Sequence, residues 1–401
     1  MKVHKALRPS VILTVVFIMQ MCFYLLYALD LIPSYRLNHI SSNVYGYLGI
    51  TSFYIICILL LKVIEKTKKP RNKRIESINK RKVYFLVYLC WSISMLGMLR
   101  LLAELIGKYG LFQLLSISLN GMQMDYLVRG AGNTVLINFS VAAIILLGSI
   151  YESSFKYKVQ LAVSFILLFL YSIFLSSRIM IIQGVFYWIV IIVRKKMYDK
   201  KISIRKTLIL CTFVLLFLVI TSGLRDYNRG GEAYTNSPIL WGLSRISDYV
   251  ISSLNYSLES PSLCGNNMTF PNGTFELLTY IIGVNEADSL FNTAYMRTTF
   301  GAPEYTNVGG FGQIYSDFNM LFPILCIVLS IIISKTWKSF HSGHFFGFVF
   351  YPIMLYSLIE MWRIYYLGTA MFETLILIMM VFYLILRKDI VYVDDDFGGR
   401  R

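Results

Sequence analysis

Long apolar runs recur along the whole of this 401-residue chain, and they restrict its fold more than any other feature. A helix needs about 20 largely apolar residues to cross the hydrocarbon core of a bilayer, and about 17 can suffice. By that measure spans are expected at 11-29, 44-64, 83-105, 134-150, 159-176, 179-193, 207-222, 320-334, 345-359 and 366-386. Composition agrees, since hydrophobic residues make up 56% of the chain and charged ones 15%, which is too apolar for a soluble protein. The expected fold is an all-α, polytopic transmembrane bundle of about ten spans. Residues 159-193 fit least well, being long for one upright span and short for two. Arg178, beside Ser176 and Ser177, sits where a tight hairpin would turn.

One polar stretch breaks the series, from about Gly223 to Asn319, rich in arginines, carboxylates, glycines and aromatics. Lysine and arginine decide which side it faces. With the N-terminus inside, the inner segments 1-10, 65-82, 151-158, 194-206, 335-344 and 387-401 hold 27 of the 38 Lys+Arg. The long stretch is then external, and in a bacterium with two membranes it is periplasmic. The formal charge of +16 is therefore the mark of cytoplasmic loops and not of nucleic-acid binding. Every external basic residue except Lys108 is an arginine, whose planar, permanently charged fork matches phosphate.

The expected organisation is seven helices in 1-222, a large external loop at 223-319, three helices in 320-386 and an inner tail at 387-401. Residues 106-133 are apolar but too broken for a crossing, and they read as an interfacial or re-entrant helix facing outward. The first run follows Lys2, Lys5 and Arg8 as in a signal peptide, yet no small-residue cleavage site follows, so a retained helix is expected. The tail, with Asp394, Asp395 and Asp396 before a terminal GGRR, reads as disordered. Five of the six cysteines lie in apolar runs and only Cys264 in the long loop, which argues against a disulfide framework.

No Walker loop, nucleotide-binding glycine fingerprint, HExxH or paired CxxC is present, and the four histidines form no convincing ligand set. Neither a nucleotide-driven pump nor a metal site is indicated. The candidates for chemistry are charged groups near the outer face. Arg225, Asp226 and Arg229 open the long loop at headgroup depth, where two arginines can clamp a lipid-linked diphosphate or simply snorkel. Arg178, alone between two apolar runs, needs a partner or a water-filled cavity. Glu360 and Arg363, three apart, share a helix face and either pair with each other or join an anion site. Arg129 is a weaker member of the same set. A base for an acceptor hydroxyl would come from Asp226, Glu232, Asp248, Glu304 or Asp317. Tyr227, Tyr234, Trp241, Tyr249, Tyr305 and Tyr315 can stack on sugar faces or fill a folded loop. Arg100 and Glu104 have the spacing of a pair within the third span.

In length, span number, large external loop and external arginines the chain resembles the oligosaccharide repeat-unit polymerases of the O-antigen type. At residue level the likeness rests on SSRIM at 176-180 and RDYNRGG at 225-231. It implies a C-type glycosyltransferase-like membrane enzyme that moves a growing glycan from undecaprenyl diphosphate onto the next lipid-linked repeat unit. It also implies membrane lipid and a chain-length regulator protein as partners, with no cofactor. Arg178, Arg225 and Asp226 are the expected catalytic residues, and Arg129, Tyr227, Arg229, Glu232 and Arg363 the expected substrate-binding ones. An O-antigen ligase would carry a similar loop. A flippase or transporter of lipid-linked sugar would show two similar halves and mid-membrane polar residues, whereas here charge gathers at the outer face.

Overall fold

The computed structural model describes residues 3–35, 37, 40–67, 73–110, 133–174, 179–196, 216, 219, 227, 231–264, 268–271, 273–283 and 308–394. After a single turn at Val3–Ala6, the helices are α1 (Pro9–Ala28), α2 (Val44–Lys66), α3 (Lys80–Tyr109), α4 (Asn133–Ile150), α5 (Phe155–Phe174) and α6 (Ile179–Lys196). They continue as α7 (Pro238–Cys264), α8 (Glu276–Ile282), α9 (Gly310–Phe318), α10 (Phe322–His341), α11 (Phe345–Glu360) and α12 (Ala370–Leu386). Every expected span except 207-222 coincides with one of these helices, and 207-222 lies outside the described residues apart from Leu216 and Val219. Among the described residues, six helices are long and apolar enough to cross a membrane, with α9 and α10 forming one of them as Gly310–His341. The apolar stretches Val135–Ile150 and Phe345–Glu360 are shorter.

Burial follows the logic of a lipid-embedded protein. Large apolar side chains such as Val15, Leu59, Phe85, Leu96, Phe169 and Val381 are exposed, while Ser10, Gln20, Ser94, Ser140 and Gln160 are buried. In water that arrangement would be costly, but apolar faces turned to hydrocarbon lose nothing. The short helix α4 is apolar all round, and its residues 141–147 are completely covered. It packs against α3, α5, α6 and α12, the situation of a helix with no solvent-facing side.

The chain divides into two compact units, Met1–Lys66, Asp199–Ser334 and Ser357–Thr369 in the first and Thr67–Tyr198, Lys335–Tyr356 and Ala370–Arg401 in the second. Within the second, the segments assigned to the inner side by their basic residues are joined to one another. Lys80 pairs with Glu152, and Lys82 lies 2.7 Å from Asp389. Arg194 donates to the carbonyls of Phe340 (2.9 Å) and His341 (2.8 Å) in the C-terminal turn of α10, where carbonyls lack the next helical donor. Strand β1 (Lys73–Ile78) pairs antiparallel with β2 (Ile390–Asp394), so residues 390–394 are held by a partner far away in sequence, and of the acidic tail read as disordered all but Asp394 lies outside the described residues. The sheet is a small non-helical addition to a helical fold.

In the first unit α7 packs against α1, α2 and α9. The long polar segment is therefore not simply a water-facing loop, because over Pro238–Cys264 it is a helix with most of its residues buried. Gly46 permits the close crossing of α2 and α7, since a Cβ there would fall 1.8 Å from the Leu258 carbonyl oxygen. Gly46→Ala is expected to lower the unfolding midpoint in detergent, by about 2 kcal/mol or more in stability; an unchanged midpoint would contradict the packing. A second expectation concerns pH. The Lys80 ammonium holds the Glu152 carboxyl below its usual range. This contact then stabilises the fold above the ordinary carboxylate range and is lost as pH falls through the lowered value. Thermal unfolding between about pH 7 and pH 3 should show part of the acid-side loss disappear in Glu152→Gln.

Candidate functional site

Of the residues singled out from the sequence, Arg129, Arg178, Arg225, Asp226 and Arg229 lie outside the described residues, as do Glu304 and Tyr305. Tyr227 is half-buried, and Glu232 falls in the 3₁₀ turn Gly231–Ala233. Arg363 is described in full and gives the site its geometry.

Arg363 stands in the turn that follows α11. Its backbone nitrogen donates to the Glu360 carbonyl at 2.8 Å, and its carbonyl accepts from Gly309 at 2.9 Å. Two glycines make that approach possible. Gly309 has φ of +74°, and a Cβ at Gly310 would meet the Met361 carbonyl oxygen at 2.5 Å. The Arg363 side chain is then fixed from three directions. Nε donates to Glu360 Oε2 at 3.0 Å, and a terminal nitrogen donates to the Tyr366 hydroxyl at 2.6 Å. The guanidinium carbon lies 5.8 Å from the Tyr249 ring centroid and 5.7 Å from that of Tyr366, within cation–π range. Both side chains of the Arg363–Glu360 pair are 19% exposed, which leaves the charge accessible yet held in place. The expected i,i+3 pair is thus formed. Tyr366, another three residues on, was missed, although its spacing from Arg363 is the same.

The contact with Tyr249 ties the arginine-bearing turn to α7, the helix of the long polar segment. Around it, Gln313 Oε1 accepts from the Tyr365 backbone nitrogen at 2.5 Å, and Gln20 Nε2 donates to the Trp362 carbonyl at 3.3 Å. The turn is thereby held by α1 and α9 as well, so the guanidinium sits on a rigid support.

Two of the carboxylates proposed as bases are committed elsewhere. Asp248 is completely buried and accepts from the hydroxyls of Ser34 (2.5 Å) and Ser244 (3.2 Å). Asp317, also buried, accepts from Thr269 Oγ1 at 2.7 Å, from Thr274 Oγ1 at 2.6 Å and from the backbone nitrogens of Gly273 (2.9 Å) and Thr274 (2.8 Å). Both act as loop anchors. Trp241 is buried between Tyr35 and Tyr234, with ring centroids at 6.5 and 5.5 Å, and its faces are occupied by protein. Arg100 and Glu104 form an exposed i,i+4 pair at 3.0 Å. Among the described residues no three His, Cys, Asp or Glu side chains are grouped to hold a metal ion.

Compared with protein-family models, curated proteins and solved structures, the chain matches none.

Removing the Asp317 anchor has a local readout. Asp317→Asn is expected to weaken the 269–274 turn by about 2 kcal/mol, because buried N–H groups lose a charged acceptor. Chymotrypsin cleavage after Phe275 should then accelerate while the helical signal is retained. Unchanged cleavage would show that the turn is held by something else.

Proposed function

We propose that this chain is a membrane glycosyltransferase of the oligosaccharide repeat-unit polymerase type, acting at the outer face of a bacterial inner membrane. The observation that carries the reading is the contact of Arg363 with Tyr249, which joins a fixed cation to the long polar segment. Support from the sequence comes from the outward-facing arginines and the single dominant external segment.

The chemistry follows from the compartment. Nucleotide sugars are absent outside the cytoplasm, so the glycosyl donor is itself lipid-linked. The acceptor hydroxyl oxygen of the incoming repeat unit bonds to the anomeric carbon of the growing glycan. The bond from that carbon to phosphate breaks, and undecaprenyl diphosphate leaves with the electron pair. The hydroxyl proton passes to Asp226 or to solvent. Negative charge grows on the diphosphate as the bond lengthens, and an arginine fixed in position, as Arg363 is, stabilises it more in the transition state than in the ground state. Arg178, Arg225, Arg229 and Arg363 take this role, with Glu360 as the positioning residue of Arg363. Arg129, Tyr227 and Glu232 bind the glycan and headgroup parts of the substrates. The scheme requires no metal ion.

Arg178→Ala and Arg225→Ala, checked for normal amounts in the membrane, are expected to lose long-chain polymer, with turnover down about 10²- to 10³-fold for each lost charge contact. Arg363→Lys, which keeps charge but not the fork, should fall between wild type and Arg363→Ala. Normal polymer length in both the Arg178 and Arg225 variants would overturn the assignment.

A further inference from the structure

The segment 268–283 reads MTFPNGTFELLTYIIG and carries a single charged residue, Glu276. Its N-terminal part is clamped to α9. Asp317 takes the hydrogen bonds described above, Thr269 donates its backbone nitrogen to the Ser316 carbonyl at 3.0 Å, and the Phe270 ring meets Phe318 edge-on at 5.5 Å. On the other side the Thr274 backbone lies against Gly368, where a Cβ would fall 2.6 Å from the Thr274 carbonyl oxygen. From this fixed base α8 projects for two turns and ends at Gly283 in the left-handed conformation.

What α8 displays is apolar. Tyr280, Ile281 and Ile282 are 54%, 74% and 60% exposed, while Thr279 is turned inward. The base of the segment, through Phe270 between Phe275 and Phe318, meets another exposed surface. Phe270, itself exposed, lies beside Phe318, and the next residues are Met320 and Leu321, followed along α10 by Ile324 and Ile327, all exposed. That series is the outward face of the membrane-length helix Gly310–His341. An apolar face at this position is covered by lipid, and the base of the 268–282 segment lies against its end.

We propose that residues 268–282 form an interfacial foot, with Tyr280, Ile281 and Ile282 seated in the headgroup and upper acyl region of the bilayer. An exposed isoleucine pair with a neighbouring tyrosine suits that depth, where one side is apolar and the other wet. Asp317 fixes the height of the foot by holding its base against α9. The long polar segment is thus tethered to the membrane surface at a second place beyond its ends. The inference depends on the membrane-spanning reading of α10 and not on the enzymatic one.

Photo-crosslinking in the full-length chain, reconstituted in vesicles of phosphatidylethanolamine and phosphatidylglycerol, tests this directly. Benzoylphenylalanine is placed at Ile281, at Ile327 on the outward face of α10, and at the exposed Glu76 of β1. Lipid adducts at Ile281 are expected at a yield within about twofold of Ile327 and roughly tenfold above Glu76. A yield at Ile281 no higher than at Glu76, with Ile327 crosslinking normally, would overturn the foot. So would adducts to protein in place of lipid at Ile281, which would make the patch a subunit or partner interface. Absence of lipid adducts at Ile327 as well would remove the belt on which the inference rests. Asp317→Asn should lower the Ile281 yield severalfold and leave Ile327 unchanged.

Discussion

A polar helix can be buried among apolar ones only if its side chains bring their own partners, and α7 shows how this is done. Several of its serines turn back on the helix, with Ser247, Ser253 and Ser260 donating to the carbonyls of Leu243, Tyr249 and Tyr256 at 3.0, 2.9 and 2.7 Å. Such bonds satisfy a hydroxyl without any neighbour. Other polar groups are met by the connection after α1 and by α1 itself. Ser34 bonds to Asp248, Ser41 to Glu259 and Tyr24 to Asn255. Unit one depends on this arrangement, because leaving those groups unbonded in a desolvated interior would cost about 1–3 kcal/mol each.

The same packing explains how a rigid cation is presented. Gly46 lets α7 approach α2, α7 brings Tyr249 to the turn after α11, and the Gly309–Gly310 pair fixes that turn from the other side. Arg363 is consequently held by carboxylate, hydroxyl and ring faces at once. Preorganisation of this kind is what stabilisation of a departing anion requires, since a charge that must reorganise during the reaction returns less of its interaction energy. The proposed leaving diphosphate belongs to such a chemistry.

Much of the architecture was legible in the sequence because it follows from hydropathy and periodicity alone. The helices of the runs near 11-29, 44-64 and 366-386 start or stop within a few residues of their expected limits. The Glu360–Arg363 and Arg100–Glu104 pairs were readable for the same reason, as local spacing dictates them. What depends on distant partners was not. KRIESI at 73–78 has no strand identity until IVYVD at 390–394 lies beside it, and neither piece is persuasive alone. Asp248 and Asp317 read as candidate bases, because nothing local reveals that Ser34 or Thr274 would reach them. The long segment read as water-facing on its polarity, whereas burial of α7 arises from hydrogen bonds that composition does not encode.

Sidedness is the claim on which the chemistry turns, because a cytosolic location would supply nucleotide sugars and remove the need for a lipid-linked donor. Ser262→Cys, at an exposed position near the end of α7, and Glu76→Cys, in β1, can each be treated with a membrane-impermeant maleimide in cells whose outer membrane alone is permeabilised. Labelling above the background of the native cysteines is expected at position 262 in those cells, and at position 76 only once the inner membrane is opened. Labelling of position 76 before position 262 would contradict the account.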